Sequence, residues 1–414
     1  MTTTLCVFED PGYTQLLPLV YLRPTWDLRC GILTLGEKIQ RAFPGMSTQF
    51  SCRDYLADLV REQYPERTVN APLAGECLLI NGRVLADASF AQWLQGVEQD
   101  TLCVRGSTVV AAILSAASAR LLQLDSSSLL DFSGLSQLRR RECTQPAISY
   151  PWDLVNNNGA QIITDFGILT SGSPITRHGT VYPGAHLLNP DAIAIGPQSS
   201  IKPGVVLDAE NGPIMIGANV RILPNAVIEG PAYIGDGSLI KVGAKIYEHT
   251  SIGPVCKVGG EVEASIIHAY SNKQHDGFLG HAYLSPWVNL GADTNNSDLK
   301  NNYSTVRVKI HGREVDSGSL FAGLIMGDHA KSAINTMFNT GTVVGVGSNV
   351  FGGGFPPKDI PSFSWGGAEE MTTYDIDKCI AVARKVMERR KKSLTPVEET
   401  VLRKVFALTE QERV

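Results

Sequence analysis

Through residues 195–258 an aliphatic side chain recurs at every sixth position: Ile195, Ile201 and Leu207, then Ile216, Ile222, Ile228, Ile234, Ile240, Ile246, Ile252 and Val258. One interruption, around residues 209–215, adds three residues and predicts a small loop. Four positions after most of these anchors stands a small or β-branched residue, among them Val205, Ala226, Ala232, Ala244 and Thr250. Gly follows the anchor directly at Gly196, Gly217, Gly235, Gly253 and Gly259. A period of six fits neither a helix of 3.6 residues per turn nor the two-residue alternation of a strand. It fits a solenoid in which each hexad forms one flat side of a triangular prism, with the anchor pointing inward and the small residue near a tight corner. Coils stacked at strand spacing, about 4.8 Å, then bury one continuous core. A chance run in an ordinary sandwich would not keep eleven anchors in register. Ile175, Val181 and Leu187 carry the pattern backward; Phe278, Leu284 and Leu290 resume it, and Leu320, Met326, Val344 and Val350 continue it loosely. The polar stretch 293–313 is too long for a hexad and is expected to loop out, where solenoids often do their binding.

Upstream the pattern is different. Residues 5–8, 77–80 and 101–104 are short apolar runs that predict buried strands, and residues 33–43 and 53–64 have helical apolar spacing. This alternation predicts an α/β layer domain with a largely parallel sheet. Residues 152–158, with three consecutive Asn, predict a hinge or connector. Beyond Gly354 the repeat ends. Residues 375–391 have helical spacing, and Thr395-Pro-Val-Glu398 is a capping box with Pro at the first helical position. The expected organisation is therefore an α/β domain over residues 1–165, a β-helix over 166–365 and a helical tail over 366–414.

Composition narrows the function classes. A net charge of -5 gives no reason to expect nucleic acid or an acidic membrane as partner. The eight cysteines form no C-x-x-C pair, which predicts free thiols in a reducing compartment rather than zinc or a disulfide framework. No basic leader and no apolar run of about 18 residues is present, so a cytoplasmic protein is expected. The basic run Arg389-Arg-Lys-Lys392 reads as a solvated helix end, with contact to an anionic ligand as the alternative.

Two stretches carry a family resemblance. Gln274-His-Asp-Gly-Phe-Leu-Gly-His281, followed by Val288-Asn-Leu-Gly-Ala-Asp-Thr294, resembles the acetyltransferase signature of the bifunctional N-acetylglucosamine-1-phosphate uridylyltransferases. In that family an N-H-x-T-Y-L-G-D segment leads into V-N-I-G-A-G-T at the same distance. Near the start, Arg23-Pro-Thr-Trp-Asp-Leu-Arg-Cys-Gly31 with Lys38 resembles a divergent branch of sugar nucleotidyltransferases that fuses a short nucleotidyltransferase-like domain to a left-handed β-helix.

The resemblance implies a left-handed coil, a homotrimer with sites between neighbouring prisms, and acetyl-CoA-dependent N-acetylation of an amino-sugar 1-phosphate. His275 takes the general-base position; imidazole suits it because a sugar ammonium must lose a proton before attacking a thioester. Asn289, Asn302, Tyr303 and Lys273 are the implied substrate contacts. Three positions depart from the family pattern: Phe278 replaces a Tyr, Glu263 a basic residue and Asp293 a Gly. A metal site on His268, His275 and His281 is the alternative use of these histidines, but their neighbours match the acetyltransferase signature instead.

In the front domain Arg23, Asp27, Arg29, Lys38 and Asn81 are the candidates for binding a nucleoside triphosphate (UTP or dTTP) or a nucleotide sugar, with Mg²⁺ for nucleotidyl transfer. The central strand ends in Asn81-Gly-Arg83 rather than in a metal-binding carboxylate, leaving Asp87 and Asp165 as distant substitutes. Two rival functions remain at this level: a nucleotidyltransferase with a structural β-helix, and a non-catalytic nucleotide-sugar-binding assembly protein.

Overall fold

The computed structural model describes residues 4–73, 75–171 and 176–413. The front domain is built on β1 (Thr4–Phe8), β2 (Thr48–Ser51), β3 (Thr68–Val69), β4 (Cys77–Asn81), β5 (Thr101–Arg105) and β6 (Thr108–Leu114), followed by a small hairpin of β7 (Gln123–Leu124) and β8 (Leu130–Asp131), and by β9 (Arg139–Glu142). Seven of these strands form a sheet in the order β3-β2-β1-β4-β6-β5-β9. It is parallel except where β6 runs against β4 and β5. Helices α1 (Leu35–Ala42), α2 (Ala57–Gln63), α3 (Ala88–Gln95) and α4 (Ala116–Ala119) complete the layers. The apolar runs of β1 and β4 are buried on both faces, which is why they lack alternation.

Residues 152–158 are not a hinge. They lie in α5 (Pro151–Thr170), a helix of 20 residues that also crosses the expected boundary at residue 165. Pro151 opens it, and the Asp153 carboxylate accepts the N–H groups of Ser149 and Tyr150. Trp152, Leu154, Val155, Ile162 and Phe166 are buried along it. Packing of this apolar stripe outweighs the turn preference of the Asn run. Asn158 is itself buried, accepting from Gly31 N and donating to the His249 carbonyl across the domain junction.

The repeat region is a left-handed, three-sided parallel β-helix. Each of the eleven sequence anchors is at most 1% exposed. Registers such as Ile216 on Ile234 on Ile252 stack them coil upon coil. One side of the prism, from Ile193–Ile195 through Tyr283–Leu284 to Asp359–Ile360, packs against the front domain. There Ile266, Tyr283, Ile325 and Val343 join the front-domain core, while Ile162 and Phe166 of α5 pack with Ala194. A second side, from Thr180–Val181 through Lys257–Val258 and Asn272–Lys273, faces the tail. The third, from His186–Leu188 through Glu261–Glu263 to Phe278–Gly280, continues through Asn295–Asn296 and Met337–Phe338.

The looser extensions needed correction. Leu284, Leu290, Met326, Val344 and Val350 are buried as expected, but Leu279, not Phe278, fills the prism. One shortened coil, which places Ile267 on Ile252, moves the phase. Leu320 is exposed because it belongs to the excursion. Val181 is exposed at the first coil, and Ile175 lies outside the described residues. The excursion begins later than expected, since Asn295–Asn296 still pair within the coil. It contains the antiparallel hairpin Arg307–Ile310 with Arg313–Asp316, and Val306, Val308 and Ile310 are buried.

The tail forms α6 (Ile376–Glu388) and α7 (Pro396–Leu408); α7 has the expected capping box on Thr395 and packs on α2. All eight cysteines are free and buried. No helix among the described residues is long and apolar enough to cross a membrane.

Candidate functional site

His275 lies at the corner between the tail-facing strand Asn272–Lys273 and the third-side strand Phe278–Gly280. Its side chain is exposed, and its ring has no hydrogen-bond partner among the described residues. Below it is an unusual residue. Lys273 stacks on Val258 at an inward anchor position and is only 2% exposed. Its ammonium donates to the His275 carbonyl at 2.7 Å. Burial pushes the Lys273 ammonium down to about 8, with Asp276, Asp293 and Glu261 pulling the other way. Lys273 thus holds the backbone of the His275 corner from inside and does not reach the surface.

The other implied residues are spread around the prism. Asn289 is half-buried on the tail-facing side, where its Oδ1 accepts from Asn272 at 3.1 Å. Asn302 and Tyr303 are exposed in the excursion, at the opposite corner of the third side from His275. That corner carries His281, whose Nδ1 pairs with Asp298 at 2.8 Å and whose ring stacks on Phe321. His268 is buried and donates from Nε2 to the Asp27 carbonyl at 2.8 Å. The three histidines therefore have three different environments, and no group of three metal-ligating side chains occurs among the described residues.

The front-domain candidates are tied up in the fold. Arg23 pairs with Asp328 of the β-helix, and Lys38 pairs with Asp165 of α5, both buried. Arg29 donates its backbone N–H to the Tyr283 hydroxyl at 3.0 Å, donates from its guanidinium to the Ile32 carbonyl, and lies over the Tyr233 ring. Asn81 is fully buried, donating to Val109 O and accepting from Arg83 N. Instead of converging on a phosphate, Arg23 and Arg29 join the front domain to the prism, while Lys38 ties α1 to α5 and Asn81 is held within the front domain. Their partners lie up to 305 positions away in the chain, beyond the reach of local motif reading.

The carboxylates do not fit Mg²⁺ either. Asp10 is held by Arg83, Asp87 caps α3, and Asp165 is taken by Lys38 and by the Ile32 and Leu33 amides. Arg23 and Asp27 do border a cavity of about 690 Å³ between α1, α2, the tail and the β-helix. Its prism wall includes a column of stacked rings, Tyr270 on Trp287 at 4.4 Å and Trp287 on His329 at 6.1 Å. Burial pushes Asp27 up to about 6, while the Tyr64 hydroxyl and Arg23 pull it back. Neither the ring column nor the buried Asp328 was visible as a site in the sequence, because each is assembled from separate coils or domains.

Residues 5–174 match the sugar nucleotidyl transferase family model, and residues 213–248 match the bacterial transferase hexapeptide model of six repeats. The bifunctional sugar-1-phosphate nucleotidylyltransferase/acetyltransferase of Sulfurisphaera tokodaii is 28% identical over 156 residues, 34% of this chain and 39% of that one. The bifunctional protein GlmU of Acidithiobacillus ferrooxidans is 40% identical over 122 residues, 28% of this chain and 26% of that one. The chain spans about two-fifths of the length of the first curated relatives it matches. Among solved structures, the UDP-N-acetylglucosamine acyltransferase of Francisella novicida superposes with a TM-score of 0.30 at 17% identity, covering 57% of this chain and 77% of that one. The chain joins an α/β domain that matches the sugar nucleotidyl transferase family model to a left-handed β-helix in which residues 213–248 match the bacterial transferase hexapeptide model.

Proposed function

We propose that this protein is a cytoplasmic transferase of sugar-nucleotide synthesis whose β-helix transfers an acetyl group from acetyl-CoA to the amine of an amino-sugar 1-phosphate. The observation that carries the reading is the exposed, unpartnered His275 ring at a prism corner, in the sequence context of an acetyltransferase signature. His275 acts as general base: it takes the proton of the sugar ammonium, the freed nitrogen attacks the thioester carbonyl, and coenzyme A leaves as its thiol. Lys273 is a positioning residue that fixes the His275 corner through its carbonyl. Asn289 contacts the sugar phosphate. The relatives' printed names, which combine sugar-1-phosphate nucleotidyl transfer with acetyl transfer, support this substrate class.

The homotrimer that the family resemblance implies is supported by the placement of the two corners. One chain has His275 at one edge of the third side and Asn302–Tyr303 beyond the other. A three-fold arrangement of prisms sets the excursion of one copy against the His275 corner of the next, so that Asn302 and Tyr303 complete a neighbour's site.

A second reading is favoured by the front domain, where Arg23 and Lys38 are ion-paired, Arg29 is held by protein partners, and Asp10, Asp87 and Asp165 are each engaged by protein groups. On this reading the domain binds a nucleotide sugar without transferring a nucleotidyl group. The test is coenzyme A release with glucosamine 1-phosphate, abolished in His275→Ala, run beside pyrophosphate release from UTP or dTTP. Thiol release without pyrophosphate supports acetyl transfer beside a binding-only front domain. Failure of the first assay with success in the second overturns both statements.

A further inference from the structure

The tail helix α6 ends over the second side of the prism and encloses a cleft of about 340 Å³. On the prism wall, successive coils align Lys257, Asn272, Asn289 and Lys331 in one outward-facing column. The opposite wall is the end of α6, with Arg389 and Arg390. Four cations therefore border one small cleft, and no carboxylate among the described residues lines it. None of the four forms an ion pair with a carboxylate among the described residues.

Donors remain unused here. The Arg390 guanidinium donates to Asn272 Oδ1 at 2.7 Å, and Asn272 passes its amide to Asn289 Oδ1. This relay orients Asn289 so that its own NH₂ has no protein acceptor among the described residues. Arg390 Nε is buried without a partner. The Lys331 ammonium has one acceptor, the His329 carbonyl at 2.6 Å, although burial holds it below the usual lysine range. Lys257 is likewise held down, by burial and then by the charges of Arg390, Arg389, Lys241 and Arg221. The partial negative charge at the C-terminus of α6 accounts for cations on the helix itself. It does not account for two lysines and an amide column presented to them from another element.

We propose that this cleft is a phosphate-binding site, formed by Lys257, Lys331, Arg389 and Arg390 around the amide of Asn289. A dianionic phosphate ester or diphosphate supplies the missing counter-charge and accepts the unused N–H groups. Gln274, the neighbour of His275, lines the same cleft, so an ester anchored there lies beside the proposed catalytic corner. The choice among phosphate esters rests on the transferase reading above; the phosphate site itself does not. The phosphate comes either from the sugar 1-phosphate or from coenzyme A or a nucleotide.

The experiment is calorimetric titration of the full chain with glucosamine 1-phosphate, coenzyme A, UDP and inorganic phosphate, with glucosamine and uridine as uncharged-tail controls. At least one phosphorylated probe is expected to bind with an affinity that falls steeply with salt, and neither control to bind. Lys257→Gln and Arg390→Gln are each expected to weaken that probe at least tenfold. Lys257 stands on the rigid coil, so its variant keeps the test valid if Arg390→Gln loosens the tail. The probe that loses most identifies the source of the phosphate. The site is overturned if no phosphorylated probe binds, or if Lys257→Gln leaves every affinity within twofold. If no amino-sugar phosphate supports coenzyme A release while Lys257→Gln loses phosphate binding, the transferase reading falls and the cleft stands.

Discussion

The front-domain junction and the tail cleft use the same side chains in opposite ways. At the junction and within the front domain, four of the five buried cations among the described residues have their own carboxylate: Arg23 with Asp328, Lys38 with Asp165, Arg53 with Glu9 and Arg83 with Asp10, while Arg29 is held by the Ile32 carbonyl and the Tyr233 ring. In the cleft, Lys257, Lys331, Arg389 and Arg390 have none among the described residues. Neutralised, desolvated charges fix a geometry, and removing one partner strands the other in a low-dielectric interior. Charges without partners at the edge of solvent repel one another and remain available to an incoming anion. Whether a basic residue is structural or ligand-binding is therefore decided by its partners, not by its motif.

The largest effect should come from breaking a paired cation. Arg53 is 2% exposed, donates to both oxygens of the fully buried Glu9 and to the carbonyls of Val20 and Arg23. Arg53→Ala should cost about 3–5 kcal/mol in urea unfolding; a loss under about 1 kcal/mol would mean that the paired class is not structural. Ile234→Ala, at a fully buried anchor, should cost about 2–5 kcal/mol and provides an uncharged reference for the first result.

Lys273 falls between the two classes, buried but paired only with a carbonyl. Because its folded value is depressed to about 8 from 10.5, folding at neutral pH displaces a proton or carries an unfavourable charge. The unfolded chain binds more protons between those values, so this penalty is full below pH 8 and fades as pH rises toward 10.5. Lys273→Met should therefore raise stability by about 1–3 kcal/mol at pH 7, and its advantage over the parent should shrink above pH 8. The same variant should lose acetyl-transfer rate if the His275 corner needs its carbonyl held. Equal thermal midpoints for the two proteins at pH 7 would remove the penalty argument. The smallest stability effect belongs to the cleft: Arg389→Gln should shift unfolding by no more than about 0.5 kcal/mol. A loss above about 2 kcal/mol would place it with the junction cations.

The β-helix was legible because its core residues are local and periodic: an anchor such as Ile240 needs only its neighbours six residues away to be recognised. Legibility failed where periodicity broke. The shortened coil before Ile267 moved the anchor from Phe278 to Leu279, and an inward Lys273 hid in a position that otherwise takes an aliphatic residue. The Asn run of α5 looked like a turn because the surfaces that bury Trp152 and Ile162 are distant in sequence. Arg23, Arg29 and Lys38 looked like phosphate ligands for the same reason. Arg389–Arg390 looked like an ordinary solvated helix end because the lysines that face them are on coils more than fifty residues upstream.

The intimate contact of α5 and the Arg23–Asp328 pair with the prism has a practical corollary for anyone dissecting the chain. A fragment beginning at residue 176 would leave Ile266, Tyr283, Ile325 and Val343 bare along one flank, an oily strip that invites precipitation. Neither module is a detachable part: the solenoid needs its front domain as a jacket, and fragment assays of the coil alone would measure clumping before they measured chemistry.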